Sequence, residues 1–154
     1  MGAASLPSGC GRRAFEVIRG ETRILGIDPG ERRIGVAVSD ELGLIARPVE
    51  VLHRRSLKRD IQRIVELATK LSVSRIIVGW PVSLNGDRGS AAQSAETFAD
   101  KVREQVQQPV ELWDERFTTV EARRYQSRRD QRRRAPVDAQ AAAVMLQEYL
   151  DAHR

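Results

Sequence analysis

The sequence predicts an α/β fold: a mixed five-stranded sheet whose first three strands form an antiparallel meander, with helices on both faces. Three apolar segments near the N-terminus are joined by connections too short for a crossover, so they should pair antiparallel. Two later apolar segments each follow an amphipathic segment of helical period, which predicts right-handed crossovers to parallel strands. A chain of 154 residues has room for one domain of ordinary size.

The first three strands are delimited by turn residues. The first is predicted over residues 23–28 (RILGID), which end at a Pro29-Gly30 turn. The second covers residues 33–39 (RIGVAVS). The third covers residues 44–52, and we expect it at the edge of the sheet because Pro48 cannot donate a ladder hydrogen bond.

Helices and two more strands complete the predicted order. In residues 56–71 the apolar residues from Leu57 to Leu71 recur at helical spacing, which predicts one buried face. The remaining elements follow in chain order: a strand over 75–79, a loop over 80–89, a helix over 90–107 capped by Ser90, a strand over 110–114, a helix that begins at Thr118 or Thr119, and a final helix over 137–152 behind Pro136.

The N-terminus differs in composition from the rest of the chain. Residues 1–21 are rich in Gly, Ser and Ala without periodicity, which predicts a mobile tail ahead of a domain over residues 22–154. The single cysteine, Cys10, excludes a disulfide scaffold. No apolar segment approaches the roughly 20 residues of a membrane helix, and the N-terminus lacks the apolar core of a signal peptide. We therefore expect a cytoplasmic protein that does not bind membranes.

Positive charge is concentrated in one segment. The formal net charge of the chain is +5, and residues 116–134 alone hold eight arginines against two acidic residues. Arginine binds phosphate oxygens in a bidentate way, so this segment predicts binding to a polyanion such as nucleic acid. The alternative is a solvated helix face or charged loop. The candidate nucleic-acid-binding residues are Arg116, Arg123, Arg124, Arg128, Arg129, Arg132, Arg133 and Arg134.

Acidic residues stand at the ends of strands that we expect to be neighbours. Asp28 ends the first strand, the Asp114-Glu115 pair ends the fifth, and Asp138 lies in the first turn of the final helix. If strands one, four and five are parallel, these ends meet at the carboxyl edge of the sheet, where open α/β sheets bind ligands. Clustered carboxylates need a cation, and hard oxygen ligands select Mg²⁺ or Mn²⁺. Such ions would promote attack of water on a phosphodiester.

Each of these residues also has a purely structural interpretation. Asp28 would form an Asx hydrogen bond at the Pro-Gly turn. Glu115 would pair with Arg116 or Arg123 at the surface. Asp138 would complement the dipole of the final helix. The residue types and spacing alone leave both interpretations open.

Five blocks of the sequence, in order, resemble the YqgF family, also called RuvX. They are ILGIDPGERRIGVAVSD, LIARPVEVL, IIVGWPVSLNGDRGSAAQ, VELWDERFTTVEA and VDAQAAAVMLQEYL, all within residues 24–150. The resemblance implies an RNase H-like fold related to the RuvC junction resolvases. It also implies a metal-dependent nuclease, a hydrolase of ester bonds, that matures the 5′ end of 16S ribosomal RNA, with Holliday-junction resolution as the competing activity.

The resemblance also implies roles for single residues at matching positions. Asp28, Glu115 and Asp138 would be the catalytic residues and would hold Mg²⁺ or Mn²⁺. We expect Asp114 on the opposite face of its strand from Glu115, because side chains alternate along a strand, and so assign it a structural bond.

Three further positions carry expectations of their own. Gly30 is expected to form the turn, and Gly35 to allow a close approach. Trp80 stands where the family usually has Leu, and we expect it to pack in place rather than to stack on a base.

Three functions remain as hypotheses. The first is a nuclease acting on pre-16S ribosomal RNA, with RNA or ribosomal particles as partners and the arginines gripping the backbone. The second is a nuclease acting on structured DNA such as a four-way junction, which would need a dimer; the sequence is compatible with a monomer or a homodimer. The third is a non-catalytic RNA-binding factor for ribosome assembly, in which the acidic residues serve structure.

Overall fold

A computed structural model describes residues 23–82, 88–114 and 137–154. The predicted order of strands and helices is confirmed in these ranges, whereas the predicted tail over residues 1–21 and the helix predicted from Thr118 or Thr119 lie outside them. None of the three helices in these ranges is long and apolar enough to cross a membrane. The elements are β1 (Ile24–Pro29), β2 (Arg33–Ser39), β3 (Ala46–His53), α1 (Leu57–Lys70), β4 (Arg75–Trp80), α2 (Ser90–Gln105), β5 (Val110–Asp114) and α3 (Val137–Ala152).

Strand β1 lies at the centre of the sheet, whose order is β3-β2-β1-β4-β5. It pairs antiparallel with β2 and parallel with β4, and β5 joins β4 in parallel, as the sequence predicts. Strand β3 is an edge strand, also as predicted. Its register with β2 shifts between Val36 and Ala37, and Pro48, which has no N–H to donate, lies opposite Ala37 beside this irregularity.

One face of the sheet packs against α1 and α2 through large apolar side chains, and we call this packing the aliphatic layer. Alternate residues of the strands meet the buried faces of both helices, because side chains along a strand point to opposite faces. Fully or almost fully buried members include Leu25, Ile34, Ile64, Ile76 and Phe98.

Helix α1 shows how its sequence positions it on this layer. Its N-cap is Ser56, whose hydroxyl accepts a hydrogen bond from the N–H of Arg59 at 3.3 Å. The predicted buried face holds in the later turns but differs in the first, where Leu57 is 37% exposed and Asp60 is only 4% exposed. Asp60 lies one turn before the buried Ile64, so the helical period that buries Ile64 buries Asp60 as well.

The N-cap of helix α2 lies one residue earlier than predicted. Gly89 occupies the N-cap position, and Ser90 is the first residue of the helix. The carbonyl of Gly89 accepts the N–H of Gln93 at 3.1 Å, so the expectation that Ser90 caps this helix is wrong. The backbone at Gly89 is extended, as an N-cap residue requires.

The opposite face of the sheet packs against α3, the one described helix on that side, and we call this packing the small-residue layer. A Cβ atom added at Gly26 would lie 2.8 Å from the Cβ atom of Leu146, so strand and helix approach more closely than a larger residue permits. Its buried members on the sheet and the helix include Ala37, Ile77, Ala142, Ala143 and Leu146.

At its C-terminal end, α3 packs through aromatic and charged side chains. The Tyr149 ring stacks on His153 with centroids 4.1 Å apart and meets Trp113 edge to face at 5.4 Å. Its hydroxyl donates to Glu111 at 3.2 Å and accepts from Arg75 at 3.1 Å. Burial raises the pKa of Tyr149, while the hydrogen bond from Arg75 acts in the opposite direction.

Candidate metal centre

The carboxyl edge of the sheet gathers the ends of β1, β4 and β5, because these strands run parallel. Asp28 lies one residue before the end of β1, and Asp114 ends β5. The expectation that these two strands are neighbours is wrong, since β4 lies between them. Two inter-strand spacings, about 10 Å, therefore separate their backbones.

Gly35 brings Asp138 next to Asp28. Asp28 and Gly35 are cross-strand partners in the β1–β2 pair, so their Cα atoms lie about 5 Å apart. A Cβ atom at Gly35 would overlap the carbonyl oxygen of Asp138 and lie 2.7 Å from its carbonyl carbon. The first turn of α3 thus rests on Gly35, and the prediction that this glycine allows a close approach is confirmed.

The side chain of Asp28 belongs to the same face of the sheet as α3. Gly26, two residues earlier on β1, faces Leu146 of that helix, and residues two apart on a strand share a face. Asp28 is half-buried there. The end of the central strand and the start of α3 thus bring two acidic residues to one corner of the small-residue layer.

Arg33 provides a positive charge at this corner. Its Nε atom lies 3.2 Å from Oδ2 of Asp138, and the two side chains are 55% and 40% exposed. Arg33 precedes Gly35 by two residues on β2, so it faces α3 for the same reason. An ion pair of this exposure contributes little to the free energy of unfolding. Its main effect is to place a positive charge beside the carboxylate of Asp138.

The turn between β1 and β2 is held at Gly30. Its N–H donates to the carbonyl of Arg33 at 2.8 Å, and a Cβ atom at this position would lie 2.6 Å from the same oxygen. The predicted turn role of Gly30 is confirmed. The carbonyl of Gly30 accepts a hydrogen bond from Nη1 of Arg54 at 3.0 Å, and Arg54 Nε lies 3.5 Å from Oδ2 of the buried Asp60.

Asp114 lies on the face away from α3. Its register partner is Trp80, whose indole N–H donates to Glu96 of α2 at 3.1 Å, on the side of the aliphatic layer. The guanidinium of Arg88 lies 5.9 Å from the centroid of the Trp80 ring. Asp114 therefore lies on the face away from Asp28, and the ring of Trp80 is half-buried between Glu96 and Arg88.

Part of the predicted site lies outside the described residues. Glu115 and the arginines of residues 116–134 are among the positions that the structure does not describe. In the described ranges, no three residues of the types His, Cys, Asp and Glu form a group that could hold a metal ion. Asp28 and Asp138 are the two predicted ligands within those ranges. The packing at Gly35 places the first turn of α3, which carries Asp138, beside the end of β1, which carries Asp28.

The chemistry of these two ligands suits a hard divalent cation. Both are carboxylates, the oxygen donors that Mg²⁺ and Mn²⁺ prefer, and both are half-buried. Asp138 already attracts a cationic group, the guanidinium of Arg33. The donor set therefore fits such an ion.

Two features of this site were missed from the sequence. The pairing of Arg33 with Asp138 joins residues 105 positions apart, and no local pattern indicates it. Asp60 did leave a signal, since it is an acidic residue at a helical position that places it on the buried face of α1. An acidic residue at such a position indicates a buried partner of opposite charge, which here is Arg54.

The sheet order, with α1 and α2 on one face and α3 on the other, defines an RNase H-like fold. RuvC from T. thermophilus, solved in complex with a Holliday junction substrate, superposes with a TM-score of 0.56 at 18% sequence identity, covering 86% of this chain and 95% of that one. The family model of RuvX, described as Holliday junction resolvase, matches residues 22–152. The chain belongs to the RuvX family.

Two relatives of this chain share more than two fifths of its residues over most of its length. A protein of Symbiobacterium thermophilum is 47% identical over 133 residues, which cover 84% of this chain and 92% of the relative. One of Desulforamulus reducens is 41% identical over 132 residues, covering 84% and 96%. Both carry the name "Putative pre-16S rRNA nuclease". Family and relatives thus place the chain among nucleases, which are hydrolases acting on ester bonds.

Proposed function

We propose that the protein is a cytoplasmic nuclease that hydrolyses a phosphodiester bond of precursor 16S ribosomal RNA during maturation of its 5′ end. In this proposal Asp28, Glu115 and Asp138 hold Mg²⁺ or Mn²⁺. The observation that carries it is the contact at Gly35, which lets the first turn of α3 lie beside Asp28. The choice of RNA follows the names of the two relatives.

The protein's part in the reaction is to hold the ligands at a fixed spacing. When bound, the ions would supply activation of a water molecule and stabilisation of the leaving oxygen. Asp28 stands on the central strand and Asp138 on a helix packed against it, so their separation cannot change without opening the small-residue layer. Glu115, which lies outside the described residues, is the third ligand in this proposal, as the family resemblance implies.

Arginine side chains would bind the phosphates of the RNA. Arg33 is more than half exposed beside Asp138, so its guanidinium can turn to a phosphate at the metal centre. The arginines of residues 116–134 would hold the backbone further from the cut. For single-stranded RNA the logarithm of the affinity should then fall with the logarithm of the salt concentration, with a slope of about −0.7 per phosphate contact.

Cleavage of two labelled substrates tests this proposal. One is a 16S precursor fragment with its 5′ extension, the other a four-way DNA junction, each with Mn²⁺ and with EDTA. Asp28→Asn and Asp138→Asn are compared with Asp100→Asn, an exposed aspartate of α2 that also pairs with an arginine, Arg103. We expect RNA cleavage to fall by more than about 100-fold in the first two variants, since even loss of an outer-shell partner costs a metal site about 10- to 100-fold.

The other outcomes lead to different functions. Cutting of the junction alone would favour the resolvase, which the description of the matching family supports as the second candidate. Tight RNA binding without cutting of either substrate, unchanged in Asp28→Asn, would favour the assembly factor. RNA cleavage in EDTA at the rate seen with Mn²⁺ would contradict the metal centre itself.

A further inference from the structure

We propose that Arg54 is a positioning residue that fixes the β1–β2 turn, and through it Asp28 and Arg33, with Asp60 as its buried counter-ion. The inference rests on the proposed function, because it concerns the geometry of the proposed metal centre. It adds residues that do not touch the metal but support the ligands, and these residues connect α1 to the turn.

Three groups hold the guanidinium of Arg54. Its Nε atom lies 3.5 Å from Oδ2 of Asp60, whose side chain is 5% exposed. Its Nη1 atom donates to the carbonyl of Gly30 at 3.0 Å. Its Cζ atom lies 6.0 Å from the centroid of the Phe98 ring, which is buried in the aliphatic layer. One side chain thus joins α1, α2 and the turn.

Asp60 is itself fixed on both sides. Its N–H donates to the carbonyl of Ser56 at 2.9 Å, as part of the first turn of α1. Its Oδ1 atom accepts the N–H of Arg55 at 3.3 Å. A buried carboxylate held in this way requires a cation, and Arg54 supplies it. Asp60 therefore sets the position from which Arg54 reaches the turn.

The turn that Arg54 contacts joins two residues of the candidate site. Asp28 stands two residues before Gly30, and Arg33, the partner of Asp138, stands three residues after it. The N–H of Gly30 is bonded to the carbonyl of Arg33, so the hydrogen bond from Arg54 to the Gly30 carbonyl holds the other side of the same residue. Displacement of Gly30 would move both ends of the turn.

A second ion pair between the β3 strand and α1 provides a matched control. Arg63 of α1 binds Glu50 of β3 through two hydrogen bonds of 2.9 and 2.8 Å. Both pairs link α1 to the segment just before it: Glu50 lies in β3, and Arg54 directly follows β3. Unlike Arg54, Arg63 bonds only to side chains among the described residues, those of Glu50 and of Glu66 one turn further along α1, and not to the turn at Gly30.

The experiment compares two double variants in the full chain. Arg54→Gln with Asp60→Asn removes one ion pair without leaving a buried charge unpaired, and Arg63→Gln with Glu50→Gln removes the other. Arg54→Lys is measured alongside, because it keeps a charge beside Asp60 but lacks the separate Nε and Nη1 donors that contact Asp60 and Gly30. Three quantities are measured: the melting temperature without metal, hydrogen exchange of the Gly30 amide by NMR, and the affinity for Mn²⁺ alone by calorimetry.

We expect the Gly30 amide to lose up to about tenfold of its protection in both Arg54 variants, the change produced by loss of one hydrogen bond. Affinity for Mn²⁺ should fall by about tenfold in the same proteins. In the Arg63 and Glu50 variant both quantities should stay within about twofold of the wild type, even where its melting temperature falls as much.

Three results would overturn the inference. Unchanged exchange at Gly30 in the Arg54 variants would show that the turn is held without Arg54. Faster exchange with unchanged Mn²⁺ affinity would show that the turn does not position the ligands. Equal loss of affinity in the control variant would assign the effect to general destabilisation. A wild-type protein that binds no Mn²⁺ would overturn the metal centre and this coupling together, and it differs from the other three results because it is seen before any substitution.

Discussion

The two faces of the sheet are packed by different means. The aliphatic layer under α1 and α2 is built from Leu, Ile, Val and Phe side chains, and its buried residues come from both helices and four strands. The small-residue layer under α3 combines glycine and alanine with larger residues, and its closest approaches between sheet and helix lie at Gly26 and Gly35. Large side chains fill the space between a sheet and helices, whereas small ones let backbones touch. The first layer therefore serves stability, and the second serves the placement of Asp28 and Asp138.

The largest effect should come from the aliphatic layer. Ile64 of α1 is fully buried, so Ile64→Ala removes apolar contacts and leaves a cavity. We expect the free energy of unfolding to fall by about 2–5 kcal/mol, as measured by urea denaturation. Affinity for Mn²⁺ below the melting transition should stay unchanged. A folded variant that lost Mn²⁺ affinity would contradict the proposal that the aliphatic layer provides stability without placing the ligands.

The second effect should come from the small-residue layer at the candidate site. In Gly35→Ala the new methyl group would overlap the backbone of Asp138, so the start of α3 must move. We expect a loss of about 1–3 kcal/mol from overpacking, smaller than that of Ile64→Ala. Mn²⁺ affinity should nevertheless fall by at least about tenfold. Calorimetric titration of Mn²⁺ checks this, and wild-type affinity would show that the close approach does not set the site.

A smaller effect is expected at Gly26, which contacts α3 in the same layer two residues before Asp28. Gly26→Ala would bring a methyl group 2.8 Å from the Cβ atom of Leu146, a smaller overlap than the one at Gly35. We expect a loss of about 1 kcal/mol, at the lower end for overpacking, with a shift along α3 that leaves Asp138 near its place. The same urea denaturation and Mn²⁺ titration apply. A loss of affinity equal to that of Gly35→Ala would mean that α3 moves as a rigid unit.

The smallest effect concerns the far end of the small-residue layer and appears only at high pH. The pKa of Tyr149 is raised by burial, so the folded protein keeps the proton that the unfolded chain releases near its ordinary value of 10.0. Stability from this group is complete below that pH and is lost as the pH rises through the folded pKa. In Tyr149→Phe the alkaline fall in the free energy of unfolding should be shallower. Denaturation in urea at about pH 9 and about pH 11 measures it; Tyr125, the other tyrosine, is present in both proteins.

Much of the fold could be predicted because the signals are local. The Pro29-Gly30 turn, the short connection to β2 and the position of Pro48 depend on residues close in sequence, and the structure confirms what they predict. The cap of α2 was misassigned because Ser90 and Gly89 are adjacent and either can precede a helix. The neighbours of β5 were misassigned because the order of strands depends on where a crossover returns, which no residue of β5 specifies.

The acidic residues of the candidate site can be proposed from the sequence, whereas their surroundings cannot. The ends of β1 and α3 indicate Asp28 and Asp138, and the family resemblance adds Glu115. The partners of these residues, Arg33 and Arg54, come from other elements, and only the packing of those elements brings them near.

The sequence by itself determined the strands, the helices, their polarity and the residues whose chemistry suits a nuclease. It could do so because the period of apolar residues and the chemistry of turns act over a few neighbouring positions. The tertiary structure alone decided that Gly35 supports the first turn of α3 and that Arg54 bridges Asp60 to Gly30. Those contacts join distant parts of the chain: the first requires a residue without a side chain at Gly35, and the second requires α1 to pack where Asp60 and Gly30 are both within reach of one guanidinium.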